Sequence, residues 1–225
     1  MTRSNPEVYG IPPDMSINYG VRIYALATLF ALIALAQWLV IGFFVDLGKD
    51  ATGLRYGIWV VGTFFGISML AWTNFGRKFP INIIISAIII ESSTMYIGKE
   101  QQMTKSLLVN SYASIIVVAL VTLCIFWGAY FPMPLVPGDL VLSLLVAGAN
   151  IMIIVFFING FSVQSSSVYT MVRNFFALFA VVLIMYTATI IHNRQFDVPK
   201  NEYLFLSTLL FFGYMLLHER MLALS

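Results

Sequence analysis

Residues 77–98, Arg77-Lys-Phe-Pro-Ile-Asn-Ile-Ile-Ile-Ser-Ala-Ile-Ile-Ile-Glu-Ser-Ser-Thr-Met-Tyr-Ile-Gly98, set a basic doublet and a proline before an apolar run that carries one carboxylate, Glu91. Read as a membrane helix from Pro80 to Gly98, the run places Glu91 about 16 Å from one end and about 10 Å from the other at the usual helical rise. An acidic residue near a helix centre costs roughly 3 kcal/mol to insert, so such residues tend to face a bundle interior or a wet cavity and to have a partner. The stretch therefore predicts both a membrane helix and a polar contact inside the fold.

The rest of the chain agrees with the first half of that reading. Its 225 residues are 60% hydrophobic and only 10% charged, with a mean hydropathy of +0.90. An ordinary soluble domain carries about a quarter charged residues. Apolar stretches near the ~20 residues a span needs recur at 21–45, 57–75, 80–98, 107–131, 140–160, 170–192 and 203–222. The expectation is an all-α, polytopic bundle of seven transmembrane helices: one domain over residues 21–225 behind a polar tail, residues 1–20. That tail is broken by prolines, so no cleavable signal peptide is expected and the first span serves as the insertion signal.

Turn chemistry marks the connections. Pro132 to Asp139 separates spans four and five, Gln164 to Ser167 separates five and six, and Asp197, Pro199 and Glu202 precede span seven. With the N-terminus on a side called A, Arg3, Arg22, Arg77, Lys78, Arg194 and Lys200 lie on side A, and Lys49, Arg55, Lys99, Lys105 and Arg220 on side B. The balance gives no positive-inside orientation. Gly62 and Gly66 form a small-xxx-small pair that suits close helix packing.

Ionisable groups within the spans are few. Arg173 lies about 5 Å from the B face and Glu91 about 10 Å from it, so the two are candidate partners, each reducing the cost of burying the other. Alternatively Arg173 snorkels to the headgroups and Glu91 is protonated and hydrogen-bonded to Ser92, Thr94 or a neighbouring helix. His218, Glu219 and Arg220 stand close to the end of span seven and read as a solvated terminus. Asn110, Asn150 and Asn174 read as helix-to-helix hydrogen-bonding groups. Tyr56, Trp72, Tyr96, Trp127, Tyr130 and Tyr169, near span ends, read as interfacial belts.

The function classes narrow accordingly. No His-Glu-x-x-His, Gly-x-Ser-x-Gly or phosphate loop is present, so no catalytic residue, cofactor or metal site is assigned and an enzyme is not expected. The lone Cys124 leaves the redox compartment unread. The small net charge of +2 and the lack of a basic run argue against nucleic acid. Expected partners are membrane lipids, ions or other membrane proteins.

In order and spacing, several short motifs resemble the Bax-inhibitor or lifeguard family, the transmembrane Bax-inhibitor-motif proteins. They are Ile23-Tyr24 before the long first span, Arg77-Lys78 with Pro80-Ile81-Asn82 opening the third, Glu91-Ser92 within it, Val121-Thr122-Leu123 in the fourth, and Glu202-Tyr203 with Phe205 at the seventh. The resemblance implies an endomembrane protein, in endoplasmic reticulum or Golgi, acting in calcium leak and cell-death regulation, with Ca²⁺ or H⁺ and cell-death proteins among its partners. It also implies a pair of aspartates in spans six and seven that senses pH, and an arginine latch that Arg77 matches. Here the family's Tyr-Asp-Thr-Gln falls on Tyr186-Thr187-Ala188-Thr189, and its Leu-Tyr-Leu-Asp on Leu210-Phe211-Phe212-Gly213. Both carboxylates are replaced, by Thr187 and Gly213. Two facing carboxylates titrate as a coupled pair; a threonine and a glycine cannot, so a pH-gated calcium leak is expected to be weakened or lost. Two functions stay open: a cation leak lined by Glu91 and tuned by Arg173 or Arg77, and a non-conducting regulator of membrane or cell-death partners.

Overall fold

The computed structural model describes residues 13–44, 54–72, 78–104, 106–131, 135–193 and 203–224. These form seven α-helices: α1 Pro13–Phe44, α2 Leu54–Trp72, α3 Ile81–Thr104, α4 Leu107–Tyr130, α5 Asp139–Ile158, α6 Ser166–Asn193 and α7 Tyr203–Leu224. The helices fall on the apolar runs. Boundaries differ from the sequence reading: α2 spans Leu54–Trp72 where 57–75 was expected, and α6 starts at Ser166, inside the stretch read as a connection. α1 begins at Pro13, inside the stretch read as a polar tail, where proline's fixed φ and missing N–H suit a first helical turn. α3 continues through Lys99, Glu100, Gln101 and Gln102, past the Gly98 boundary.

Five helices are long and apolar enough to cross a membrane: α1, α3, α4, α5 and α6. α2 offers a shorter apolar segment, Arg55–Ala71. α7 is long, but Ser207, Thr208, His218, Glu219 and Arg220 interrupt its apolar run. Its position explains the tolerance. α7 packs against α1, α2, α3, α4 and α6, and Leu206 through Gly213 and Met215 through Glu219 are all buried. A helix enclosed by protein need satisfy its polar groups locally, without presenting an apolar face to lipid.

The hydroxyls of α7 do this twice over. Ser207 Oγ donates to its own helix at Tyr203 O (2.6 Å) and lies within bonding distance of Ile23 O on α1 (3.0 Å). Thr208 Oγ1 reaches Leu204 O at 2.8 Å and Ser86 Oγ on α3 at 3.2 Å.

The chain alternates direction. Trp38 near the end of α1 stacks on His218 near the end of α7, and Tyr56 near the start of α2 packs on Tyr96 late in α3 and Phe156 late in α5. These residues share the B end. At the A end, Tyr24 Oη and His192 Nε2 are 3.0 Å apart, and Tyr186 Oη donates to Asp139 Oδ1 at 2.6 Å, tying α6 to the first turn of α5.

A π-helical turn, Asn159–Val163, closes α5. Asn159, 2% exposed, holds Ser165 through both amide atoms, its Nδ2 donating to Ser165 O and its Oδ1 accepting from Ser165 N–H. Gln164 adopts a left-handed conformation with φ of 50° to turn the chain into α6. Of the small-xxx-small pair, only Gly66 mediates a close approach, since a Cβ there would meet Ile89 of α3 at 2.9 Å. Gly62 faces open space.

Candidate functional site: an interior charge pair in an aromatic box

At the B end the interior holds opposite charges from two helices. Arg173 stands seven residues into α6 and Glu219 five residues before the end of α7, so both lie about 8–10 Å from the B ends of their helices. Equal depth on adjacent helices brings them together. Arg173 Nε is 3.1 Å from Glu219 Oε1, with the glutamate side chain 1% exposed and the arginine 24%. The pair is an ion pair by distance, but its N–H vector misses the carboxylate, and neither atom completes a hydrogen bond.

Aromatic rings wall the pair. The Arg173 guanidinium carbon lies 5.4 Å from the centre of the Tyr56 ring, a cation–π contact of about 1–2 kcal/mol in a desolvated setting. Tyr56 meets Trp59, Tyr96 and Phe176 edge-on. Trp59 stacks on Tyr96 at 4.5 Å and 9°, and its Nε1–H donates to Ser93 Oγ at 2.9 Å. Both phenols lie within electrostatic range of Glu219. Among the described residues, no protein group hydrogen-bonds Tyr56 Oη or Tyr96 Oη. Buried polar atoms without protein partners are few in folded proteins; Tyr56 Oη, Tyr96 Oη, Arg173 Nε and Glu219 Oε1 are four of them.

His218, the preceding residue of α7, faces α1 and α4 instead. Its ring stacks on Trp38 at 5.0 Å and on Tyr214 at 5.8 Å. Its Nε2 is 2.9 Å from Ser114 Oγ, and that hydroxyl lies equally close to Asn110 O; the serine's one proton serves whichever acceptor the imidazole tautomer leaves it. Among the described residues Nδ1 has no partner.

These contacts correct several expectations. His218 is fully buried and Glu219 is 2% exposed, so neither belongs to a solvated terminus. Arg173 pairs with Glu219, not with Glu91. Glu91 lies on the exposed face of α3, where Gln37 Nε2 of α1 donates to its Oε1 at 2.6 Å; it faces outward, away from the interior. Tyr56 is an interior ring rather than part of an interfacial belt, whereas Trp127 and Tyr130 are exposed as a belt requires. Asn110 Nδ2 does reach another helix, at Gln101 O. Asn150 bonds back to Val146 O of its own helix, and Asn174 is exposed. Arg77 lies outside the described residues.

Thr187 of α6 and Gly213 of α7 each sit in the core. Thr187 is fully buried and donates to Leu183 O at 2.7 Å. A Cβ at Gly213 would meet Ile184 Cγ1 at 2.6 Å. The α6–α7 contact is thus sealed by apolar packing where a larger, charged side chain would not fit.

No family model, curated protein or solved structure matches this chain. The site is therefore read from its own chemistry. Among the described residues, no group of three or more His, Cys, Asp or Glu is placed to hold a metal ion. What the B end offers is a compensated acid, two phenols and a guanidinium, enclosed by rings.

The signal for Glu219 was present in the sequence. The depth comparison that paired Arg173 with Glu91 pairs it equally well with Glu219, whose opposite charge sits at the same level of the next helix.

Proposed function

We infer that the chain is a seven-span, multi-pass membrane protein of the Bax-inhibitor type, diverged at its polar centre, which modulates calcium homeostasis or cell death from an endomembrane. In this reading α2 and α7 cross the membrane with the five longer apolar helices, α7 sheathed by the others. The pH-gated calcium leak implied by the resemblance is weakened or lost, and regulation of membrane or cell-death partners takes its place.

One observation supports this most. Thr187 and Gly213, where the resemblance would put facing carboxylates, are both buried, and Ile184 fills the space beside Gly213. A coupled carboxyl pair is what would make a steep pH response there. The test is calcium efflux from vesicles reconstituted with the full chain, at pH values on either side of neutrality. A leak indistinguishable from protein-free vesicles at both values supports the reading; a leak that closes steeply with pH overturns it.

A cation leak remains a second reading because of the unpartnered polar atoms around Glu219. Glu91, on the outer face, is poorly placed to line an interior path, so in this reading the acid of the path is Glu219. Such a leak would be abolished by Glu219→Gln and untouched by Glu91→Gln.

A further inference from the structure

Glu91 and Gln37 form a polar pair on the outer face of the bundle. α1 and α3 run side by side in the same direction, and the Gln37 amide donates to Glu91 at 2.6 Å across their seam. Ile84, Ile88 and Met95 share the exposed stripe of α3 with Glu91, and Ile33 and Val40 flank Gln37 on α1. The candidate span runs from Ile81 to Gln102, which places Glu91 about 15 Å from either end, at mid-membrane depth. Neither water nor a lipid headgroup is at hand at that level.

Glu91 is poorly compensated where it stands. Its one donor among the described residues is a neutral amide, and the Gln37 Oε1 beside it has no donor of its own. The described cations lie elsewhere. Arg22 lies near the start of the candidate span Tyr19–Ile41, Arg55, Lys78, Lys99 and Arg220 lie toward helix ends, and Arg173 is engaged with Glu219 inside the bundle. A carboxylate at the bilayer centre is expensive unless paired, and a cation on a neighbouring helix lowers the cost for both.

We propose that the α1–α3 seam binds a transmembrane helix of another protein that presents a lysine or arginine at mid-membrane depth, opposite Glu91. The exposed isoleucines, valine and methionine supply the apolar contact above and below, and the charge fixes the register. Among the described residues a second copy of this chain has no outward cation at that depth, so charge complementarity favours a different protein. The inference is independent of whether the protein conducts ions.

The probe is a fluorescent oligo-leucine helix with one central lysine, beside a matched helix with leucine at that position. Each is co-reconstituted with the labelled full chain in phosphatidylcholine vesicles, and association is read by energy transfer. The lysine helix is expected to associate at least about tenfold more strongly than the leucine helix, a clear difference in free energy. Glu91→Gln should remove that preference and Gln37→Leu should reduce it, both variants keeping the wild-type helical spectrum because the pair is outside the core. Equal association of the two helices, or a preference that survives Glu91→Gln, overturns the proposal. So does self-association of the chain that Glu91→Gln abolishes, since the face would then belong to a second copy.

Discussion

Arg173 of α6 and Glu219 of α7 meet 3.1 Å apart inside the bundle, beneath the Tyr56 ring, and fix these two helices at their B ends. Breaking a buried pair from one side leaves an uncompensated charge, at a cost of about 3–5 kcal/mol, whereas removing both charges costs far less. The partial exposure of Arg173 places it toward the lower end. Arg173→Met alone should therefore destabilise the protein more than Arg173→Met with Glu219→Gln. Denaturation in mixed micelles, followed by helical circular dichroism, checks this; additive losses would contradict it.

The α6–α7 seam makes a second prediction. Gly213→Ala drives a methyl into Ile184 and should cost about 1–3 kcal/mol, as overpacking does, while Gly62→Ala, with nothing within 4 Å, should cost little. The same denaturation measurement compares the two. Equal effects would mean that the seam relaxes and could admit a larger side chain.

Ser114→Ala leaves the His218 Nε2 buried without its hydrogen-bond partner, which should cost about 1–3 kcal/mol. Ser114→Thr, keeping the hydroxyl, should recover most of the loss. Thermal unfolding in detergent distinguishes the two variants.

Glu91→Gln should leave unfolding within about 0.5 kcal/mol of wild type, the usual range for substitutions away from core features. A loss of several kcal/mol would place Glu91 in the interior after all.

Much of this fold was legible in the sequence. The apolar runs located every helix, because membrane-crossing length and turn residues are strong local signals. The facing of Glu91 was not legible. α3 is apolar on all sides around it, with Ile83, Ile84 and Ile88 exposed and Ile89 and Ile90 buried, so hydropathy gave its depth but not its direction. Glu219 was misread for the opposite reason. Its nearness to the end of α7 suggested solvent, but burial there comes from α1, α3, α4 and α6 closing around α7, which no local pattern in residues 203–224 encodes. That Ile184 fills the space beside Gly213 is a property of packing alone.

Calcium efflux from vesicles holding the wild-type chain, followed across a pH series, bears most directly on the proposal that a buried Thr187 and a Gly213 packed against Ile184 leave no titrating carboxylate pair between α6 and α7. The account predicts a flat response, no greater than that of protein-free vesicles. A leak that closes steeply with pH would contradict it.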